Sequence, residues 1–319
     1  MRSDFWNITS EEEFEREALE LFRLQAQLCE PFARYLSLIG CDPTEVKRLS
    51  ELRYMPIELF KSCDVYCAST PPEKIFTSSS TTGSIPSRHL MADLSIYESA
   101  FIEGFKRFYG DIQNWSIYGL LPSYLERDGS SLIYMVDKLI NMAAGGGFYL
   151  HNQQQLLSDM AADPHPKILL GVSYALWDLA ENHSPKLHNT IVMETGGMKG
   201  HREELPKEAF HKILCNAFGV DRIHSEYGMA ELSSQAYSSG GNRFTTPAWM
   251  RVVLREVNDP FSYLTSPARG AINIIDLASQ HSCAFIETQD MGQLLLDGTF
   301  SIEGRVEHSE IRGCNLLVQ

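Results

Sequence analysis

Short apolar runs alternate with amphipathic helical patterns through the middle of the chain, and no other feature of the sequence restricts the fold as strongly. The runs at 117–121, 167–172 and 190–193 are strand-length, whereas 132–143, 174–180 and 207–218 repeat apolar residues at helical spacing. A further short strand is expected at 148–150. Strands separated by helices pair in parallel, since a parallel pair needs a crossover, and the helices then cover both sheet faces. The expected fold class is therefore α/β, with mostly parallel sheet covered by helices. Ligands of such sheets bind beyond the carboxyl ends of the strands.

The flanks carry different patterns. Ser10 and Glu13 form a capping-box pattern for an N-terminal helix, whose apolar residues Phe14, Ala18, Leu21, Phe22 and Leu28 share helical spacing. Pro31 interrupts it, and 53–60 reads as an extended arm without a catalytic signal. Asp93 caps another helix, stopped at Gly110. Beyond 240 helical periodicity fades, and 249–257, 271–277, 283–287 and 293–296 read as strands, with Asp297-Gly298 as a hairpin turn. The expected division is an α/β core with its helical N-terminal segment at 1–240 and a β-rich subdomain at 241–319.

The 319 residues carry 27 Lys and Arg against 41 Asp and Glu, a formal charge of -14 that repels nucleic acid and anionic membrane surfaces. No nucleic-acid partner is expected. No apolar run reaches the roughly 20 residues of a membrane span and no leader pattern opens the chain, so a cytoplasmic location is expected. The seven cysteines are scattered, and Cys63 and Cys67 lack further ligands for a zinc site.

Four stretches are candidates for chemistry. The first joins six consecutive hydroxyl residues, Thr77 to Thr82, to Gly83 and Pro86. Such a run suits a loop offering small donors to a phosphate, or equally a polar surface linker. In the second, 191–200, a strand runs into a three-glycine turn that includes Gly196 and Gly197 and lets a ring or phosphate approach the backbone; a tight turn alone is the alternative. The third, His224 to Glu231, holds Tyr227 and a carboxylate suited to Mg²⁺, or merely an exposed Glu. In the fourth, Asp290 follows a strand and Arg305 comes shortly after, a pair suited to ribose hydroxyls and phosphate. The glycines at 145–147 match no nucleotide motif and read as a helix stop.

The ordered series S-S-S-T-T-G-S-I-P (78–86), E-T-G-G (194–197), Y-G-M-A-E (227–231), T-Q-D (288–290) and G-R (304–305) resembles the adenylate-forming acyl ligase superfamily. Y-G-M-A-E-L-S-S-Q-A-Y (227–237) and E-I-R-G-C-N-L-L (310–317) resemble the acyl-protein synthetases of bacterial bioluminescence, near phenylacetate-CoA ligases. The resemblance spans about 75–319. It implies the large N-terminal domain of an adenylate-forming enzyme, without the mobile C-terminal domain.

The resemblance also implies roles. Ser79, Ser80, Thr81, Thr82 and Gly83 match the loop that grips the β- and γ-phosphates of ATP, and Gly196 and Gly197 match the turn beside adenine. Tyr227 matches the aromatic on adenine, Glu231 the Mg²⁺ ligand, Asp290 the ribose ligand and Arg305 its partner. Cys314 matches the cysteine that receives the acyl group. Two positions depart from the pattern: Ser87 and Arg88 stand where a lysine follows the loop proline, and Ala230 stands in place of a threonine. The implied activity is ATP- and Mg²⁺-dependent activation of a carboxylic acid, expected to be a fatty acid, to an acyl-adenylate. Transfer to a thiol follows, on Cys314 and then an acyl-acceptor protein. Acyl-CoA formation with CoA as acceptor, and a non-catalytic nucleotide- or partner-binding protein, are the alternatives.

Overall fold

The computed structural model describes residues 5–78, 85–121, 129–196 and 205–306. Helix α1 (Glu11–Leu28) starts where expected: Ser10 Oγ accepts from Glu13 N at 3.2 Å. The Glu13 carboxylate reaches one residue beyond the cap, accepting from Thr9 N and Thr9 Oγ1 at 2.8 and 3.0 Å. Pro31 lies in the first turn of α2 (Glu30–Leu38), where its missing N–H costs nothing. The arm that follows is more structured than its sequence suggests, with a short strand β1 (Met55–Pro56) and one helical turn, α3 (Leu59–Ser62). A hairpin, β2 (Lys74–Thr77) and β3 (Arg88–Met91), leads to α4 (Leu94–Tyr109), capped by Asp93 and ended by Gly110 at φ 77°.

The alternating region forms β4 (Ser116–Leu120), α5 (Ser131–Met142), β5 (Gly145–Phe148), α6 (Gln153–Ala162), β6 (Lys167–Val172), α7 (Ser173–His183), β7 (Thr190–Thr195), α8 (Lys207–Phe218) and β8 (His224–Tyr227). The strands pair in parallel in the order β5-β4-β6-β7-β8. Contrary to the helix-stop expectation, the three glycines form the outer strand β5, and α5 ends at Met142 with an extended Ala143 as its C-cap. Gly146 sits at φ +116° with a virtual Cβ only 1.8 Å from the Ile117 carbonyl oxygen, so no side chain fits against β4 there. Helix α6 escaped prediction because Leu156 and Met160 alone mark its buried face.

Beyond β8 the pairing turns antiparallel through β9 (Ala236–Ser238), β10 (Phe244–Thr245), β11 (Met250–Arg255), β12 (Tyr263–Leu264), β13 (Ala268–Asp276), β14 (Phe285–Leu294) and β15 (Phe300–Arg305). The order continues β8-β9-β10-β15-β14-β13-β11-β12, with β1 parallel to β14, making one 13-stranded sheet among the described residues. The two strands expected at 283–287 and 293–296 are one, β14; its polar middle reads as a loop until β13 and β15 pair with it on either side. Residues 240 and 241 fall between β9 and β10, where the sheet narrows to strands of three and two residues.

Two cores result. One lies between α4–α8 and the parallel strands, around Phe101, Leu120, Val136, Leu170 and Leu214. In the other, α1 and α2 cover the C-terminal strands, with Phe22 edge-on to Phe285 at 5.1 Å between ring centroids. Gln25, fully buried in α1, ties the two ends of the chain: its Nε2 donates to Ser279 O at 2.8 Å and its Oε1 accepts from Ala284 N at 2.9 Å. Among the described residues no helix is long and apolar enough to cross a membrane.

Candidate functional site

Tyr227 ends β8 and Asp290 lies in β14, four strands away in the sheet order. A flat sheet would separate them by about 19 Å, at ~4.8 Å per strand. Yet the Tyr227 hydroxyl donates to Asp290 Oδ2 at 2.7 Å, closer than the two side chains could span across a flat sheet, so the sheet curves between β8 and β14. Phe244 and Phe300, the single β10–β15 pair, fill the bend against the Tyr227 ring, with centroids 6.0 and 5.7 Å from it. Arg305, opposite Asp290 in the β14–β15 ladder, places Nε 3.6 Å from Asp290 Oδ1. Thr288 Oγ1 accepts from Asp290 N at 3.1 Å and fixes the backbone. Burial raises the Asp290 pKa, and the Tyr227 hydroxyl and Arg305 charge pull it back. Three of the predicted residues thus form one hydrogen-bonded and charged group.

Glu231 follows in the turn after β8 and is 6% exposed. Burial raises its pKa; the Ser87 hydroxyl beside it and the charges of Lys61 and Arg305 act the other way. Ser87 sits at the root of the hydroxyl loop, where Ser78 N donates to Ser87 O at 3.2 Å and Ser87 N to Ser78 Oγ at 2.9 Å. His89 on β3 clamps this root to the turn: its Nδ1 is 2.8 Å from the Ala230 carbonyl. A carbonyl only accepts, so Nδ1 carries the proton; burial pushes the imidazole down to about 4, which keeps it neutral at pH 7. The far side of the turn is held by Asp276 at the end of β13, whose carboxylate accepts from Ser233 N and Ser234 N at 2.8 and 2.9 Å and from Ser234 Oγ at 2.6 Å.

The exit of β7 forms the third wall. Ser173 Oγ lies 3.0 Å from Glu194 Oε2 and 2.7 Å from the Gly196 carbonyl oxygen, and Gly196 adopts φ +68°. Glu194 is buried, which opposes its ionisation, but His211, Lys207 and Ser225 outweigh burial and hold it at about 2. Lys207 Nζ is 2.8 Å from Glu194 Oε1 and 4.8 Å from the Phe244 ring centroid, linking this exit to the aromatic cluster in the bend.

Next to it, Glu226 accepts a hydrogen bond from the Thr195 hydroxyl, and burial pushes it up to about 7 with Glu194 adding to the rise. The folded pKa lies above the ordinary 4.5, so the stability gained from neutral Glu226 is complete below that value and lost as pH rises through about 7. Unfolding free energy is expected to drop by on the order of 3 kcal/mol across this window, and Glu226→Gln to flatten the slope. Urea titrations from pH 4.5 to 8 check this; an unchanged slope in the variant would count against it.

Of the predicted site residues, Gly196, Tyr227, Glu231, Asp290 and Arg305 are brought to this region, while Ser79, Ser80, Thr81, Thr82, Gly83, Gly197 and Cys314 lie outside the described residues. Arg88 is engaged elsewhere, 2.7 Å from Asp64. Ser173, Lys207, His211, His89 and Asp276 escaped the sequence reading, since none lies in a motif; a buried charge pattern is visible only after folding. A Mg²⁺ ion fits the donors present: the Glu231 carboxylate adjoins Ser87 Oγ, a buried hydroxyl without a well-aligned hydrogen-bond partner. These are hard oxygen donors, and Mg²⁺ commonly takes one or two carboxylates with phosphate and water.

No protein-family model and no curated protein sequence matches the chain. Solved structures do match in three dimensions. ATP-bound MatB from Rhodopseudomonas palustris aligns at TM-score 0.56 and 14% identity over 72% of this chain and 47% of its own. The chain thus spans about half the length of that protein (47%). 2-Hydroxyisobutyryl-CoA ligase in the postadenylation state aligns at TM-score 0.71 and 12% identity, covering 92% of this chain and 67% of the ligase. The same ligase in an open conformation with 2-HIB-AMP and CoA aligns at 0.67 and 13%, covering 97% and 82%. The chain therefore has the mixed α/β fold of adenylate-forming enzymes.

Proposed function

We propose that the chain activates a carboxylic acid with ATP, releasing pyrophosphate and forming an acyl-adenylate, and then passes the acyl group to a thiol. The observation that carries this reading is the convergence of Tyr227, Asp290 and Arg305 across the bent sheet, beside Glu231 and the root of the hydroxyl loop. In this reading Tyr227 orients the Asp290 carboxylate toward the ribose hydroxyls, and Arg305 balances its charge. The Tyr227 ring and the Gly196 turn border the base, and the loop 79–83 meets the β- and γ-phosphates. Glu231 and Ser87 would hold Mg²⁺, which neutralises charge on the phosphates when bound. A carboxylate oxygen of the acid attacks the α-phosphorus, and the bond to the β-phosphate oxygen breaks. A thiolate then attacks the acyl carbon and AMP leaves.

The acyl-protein synthetase reading makes a fatty acid the substrate and Cys314 the first acceptor, followed by a partner protein. A second reading has CoA as acceptor; it is favoured by the match to the ligase structure that holds 2-HIB-AMP and CoA. Acid-dependent exchange of labelled pyrophosphate into ATP tests the activation step over a series of chain lengths. Exchange is expected with at least one acid, and none with any acid would sink the activity. In the same mixtures, labelled acyl bound to protein through a hydroxylamine-labile bond supports the relay, whereas label found only in acyl-CoA selects the second reading.

A further inference from the structure

Asp290 does not stand in regular strand. Between the pairs Ala271–Met291 and Asn273–Glu287, β13 has one residue, Ile272, while β14 has three, Thr288, Gln289 and Asp290. Such a bulge re-aims side chains and takes backbone groups out of the ladder. Three side chains hold it. Thr288 Oγ1 donates to Ile272 O at 2.7 Å and accepts from Asp290 N at 3.1 Å. Gln289 is hydrogen-bonded through its side-chain amide to Glu58, while its carbonyl accepts from Val306 N at 2.7 Å. The third is Arg255, at the end of β11, a strand separated from β14 by β13. Its guanidinium crosses β13: Nη1 donates to Ile272 O at 3.3 Å and Nη2 to Thr288 O at 3.0 Å, with Glu287 Oε1 3.2 Å from Nη2.

We propose that Arg255 is a positioning residue that fixes this bulge and thereby the direction of the Asp290 carboxylate. The inference rests on the nucleotide reading above, in which that carboxylate meets the ribose hydroxyls. Arg255 is only 5% exposed. Burying a guanidinium opposes folding, and an apolar side chain would fill the same space at lower cost. What the arginine adds is a planar fork that meets two carbonyl oxygens at once, one on each strand of the bulged pair. Its carboxylate partner, Glu287, is the residue just before the bulge, so ion pair and fork hold the same corner of β14. Tyr227 and Arg305 act on the Asp290 carboxylate itself, whereas Arg255 acts through Thr288 on the backbone that carries it.

Calorimetric titration of the full chain with Mg²⁺-ATP and with Mg²⁺-2′,3′-dideoxy-ATP, in the parent, Arg255→Met and Arg255→Lys, tests the assignment. The dideoxy nucleotide lacks both ribose hydroxyls and keeps the base and the phosphates. An unfolded fraction weakens both nucleotides alike, so the ratio of their Kd values reports the ribose contact and not general stability. The parent is expected to bind ATP about tenfold or more tightly than the dideoxy nucleotide, the scale of a lost hydrogen bond to a charged group. In Arg255→Met the ratio is expected to fall below about threefold. Arg255→Lys, which keeps the charge beside Glu287 but not the fork, is expected to give a ratio between the two, and it decides the matter where Arg255→Met does not fold. A parent-like ratio in either variant, including equal weakening of both nucleotides, overturns the role of Arg255 and leaves the nucleotide reading standing. A parent that binds ATP without preferring it to the dideoxy nucleotide overturns the ribose contact and this proposal with it. A parent that binds neither overturns the nucleotide reading as well.

Discussion

Replacing Glu231 with Gln is expected to cut acid-dependent pyrophosphate exchange by about a hundredfold or more, the scale at which loss of one charge-stabilising group acts on a transition state. The carboxylate is 6% exposed, and burial raises its pKa despite Ser87, Lys61 and Arg305. Keeping it ionised therefore costs stability, and the neutral amide removes that cost without changing shape. The variant should fold as well as the parent, with an unchanged or higher Tm, while the Mg²⁺ concentration for half-maximal exchange rises. Exchange at the parent rate would remove Glu231 from the catalytic machinery. A parallel loss of Tm and activity would make its role structural.

Asp276→Ala carries the largest expected stability effect. Its carboxylate is fully buried and takes five donors: Ser233 N, Ser234 N and Ser234 Oγ, then Ala278 N at 3.1 Å and Ser279 Oγ at 3.3 Å. Ser234 Oγ also accepts from the indole of Trp249 at 2.9 Å, so the deletion strands backbone and side-chain donors together. Buried donors left unpaired cost about 1–3 kcal/mol each before relaxation, and a net loss of about 3–5 kcal/mol is expected from urea unfolding. Asp276→Asn, which retains one acceptor oxygen, should lose less. A loss below about 1 kcal/mol for Asp276→Ala would show that the network is dispensable. Because Ser233 lies two residues beyond Glu231, the same variant should also slow exchange beyond what its unfolded fraction explains.

The elements legible in the sequence are those settled by near neighbours. Helix α8 runs from Lys207 to Phe218 and stops at Gly219 in the left-handed region, φ 68°, as its pattern requires. Ser10 and Asp93 cap α1 and α4 through backbone N–H groups two or three residues on. Strand β5 and the middle of β14 were misread for the opposite reason. Three glycines are strand only because β4 leaves no room for a side chain at Gly146, and 288–292 is strand only because β13 and β15 flank it.

For the candidate site, residue order and chemistry singled out Tyr227, Glu231, Asp290 and Arg305, because each sits in a short motif. Their meeting was not legible. Tyr227 and Asp290 are 63 residues apart and touch only because the sheet curves between β8 and β14 around Phe244 and Phe300. Gln25 and Ser279, 254 residues apart, bring α1 into the core of the C-terminal strands. Phe60 on α3 is joined to the Ala230 carbonyl, 170 residues on, through one buried histidine. Local periodicity, caps and turns are decided within about four residues, so the α/β alternation and the motifs belong to the sequence alone. Which charges face one another depends on sheet curvature and on long-range packing, and these exist only in the tertiary structure.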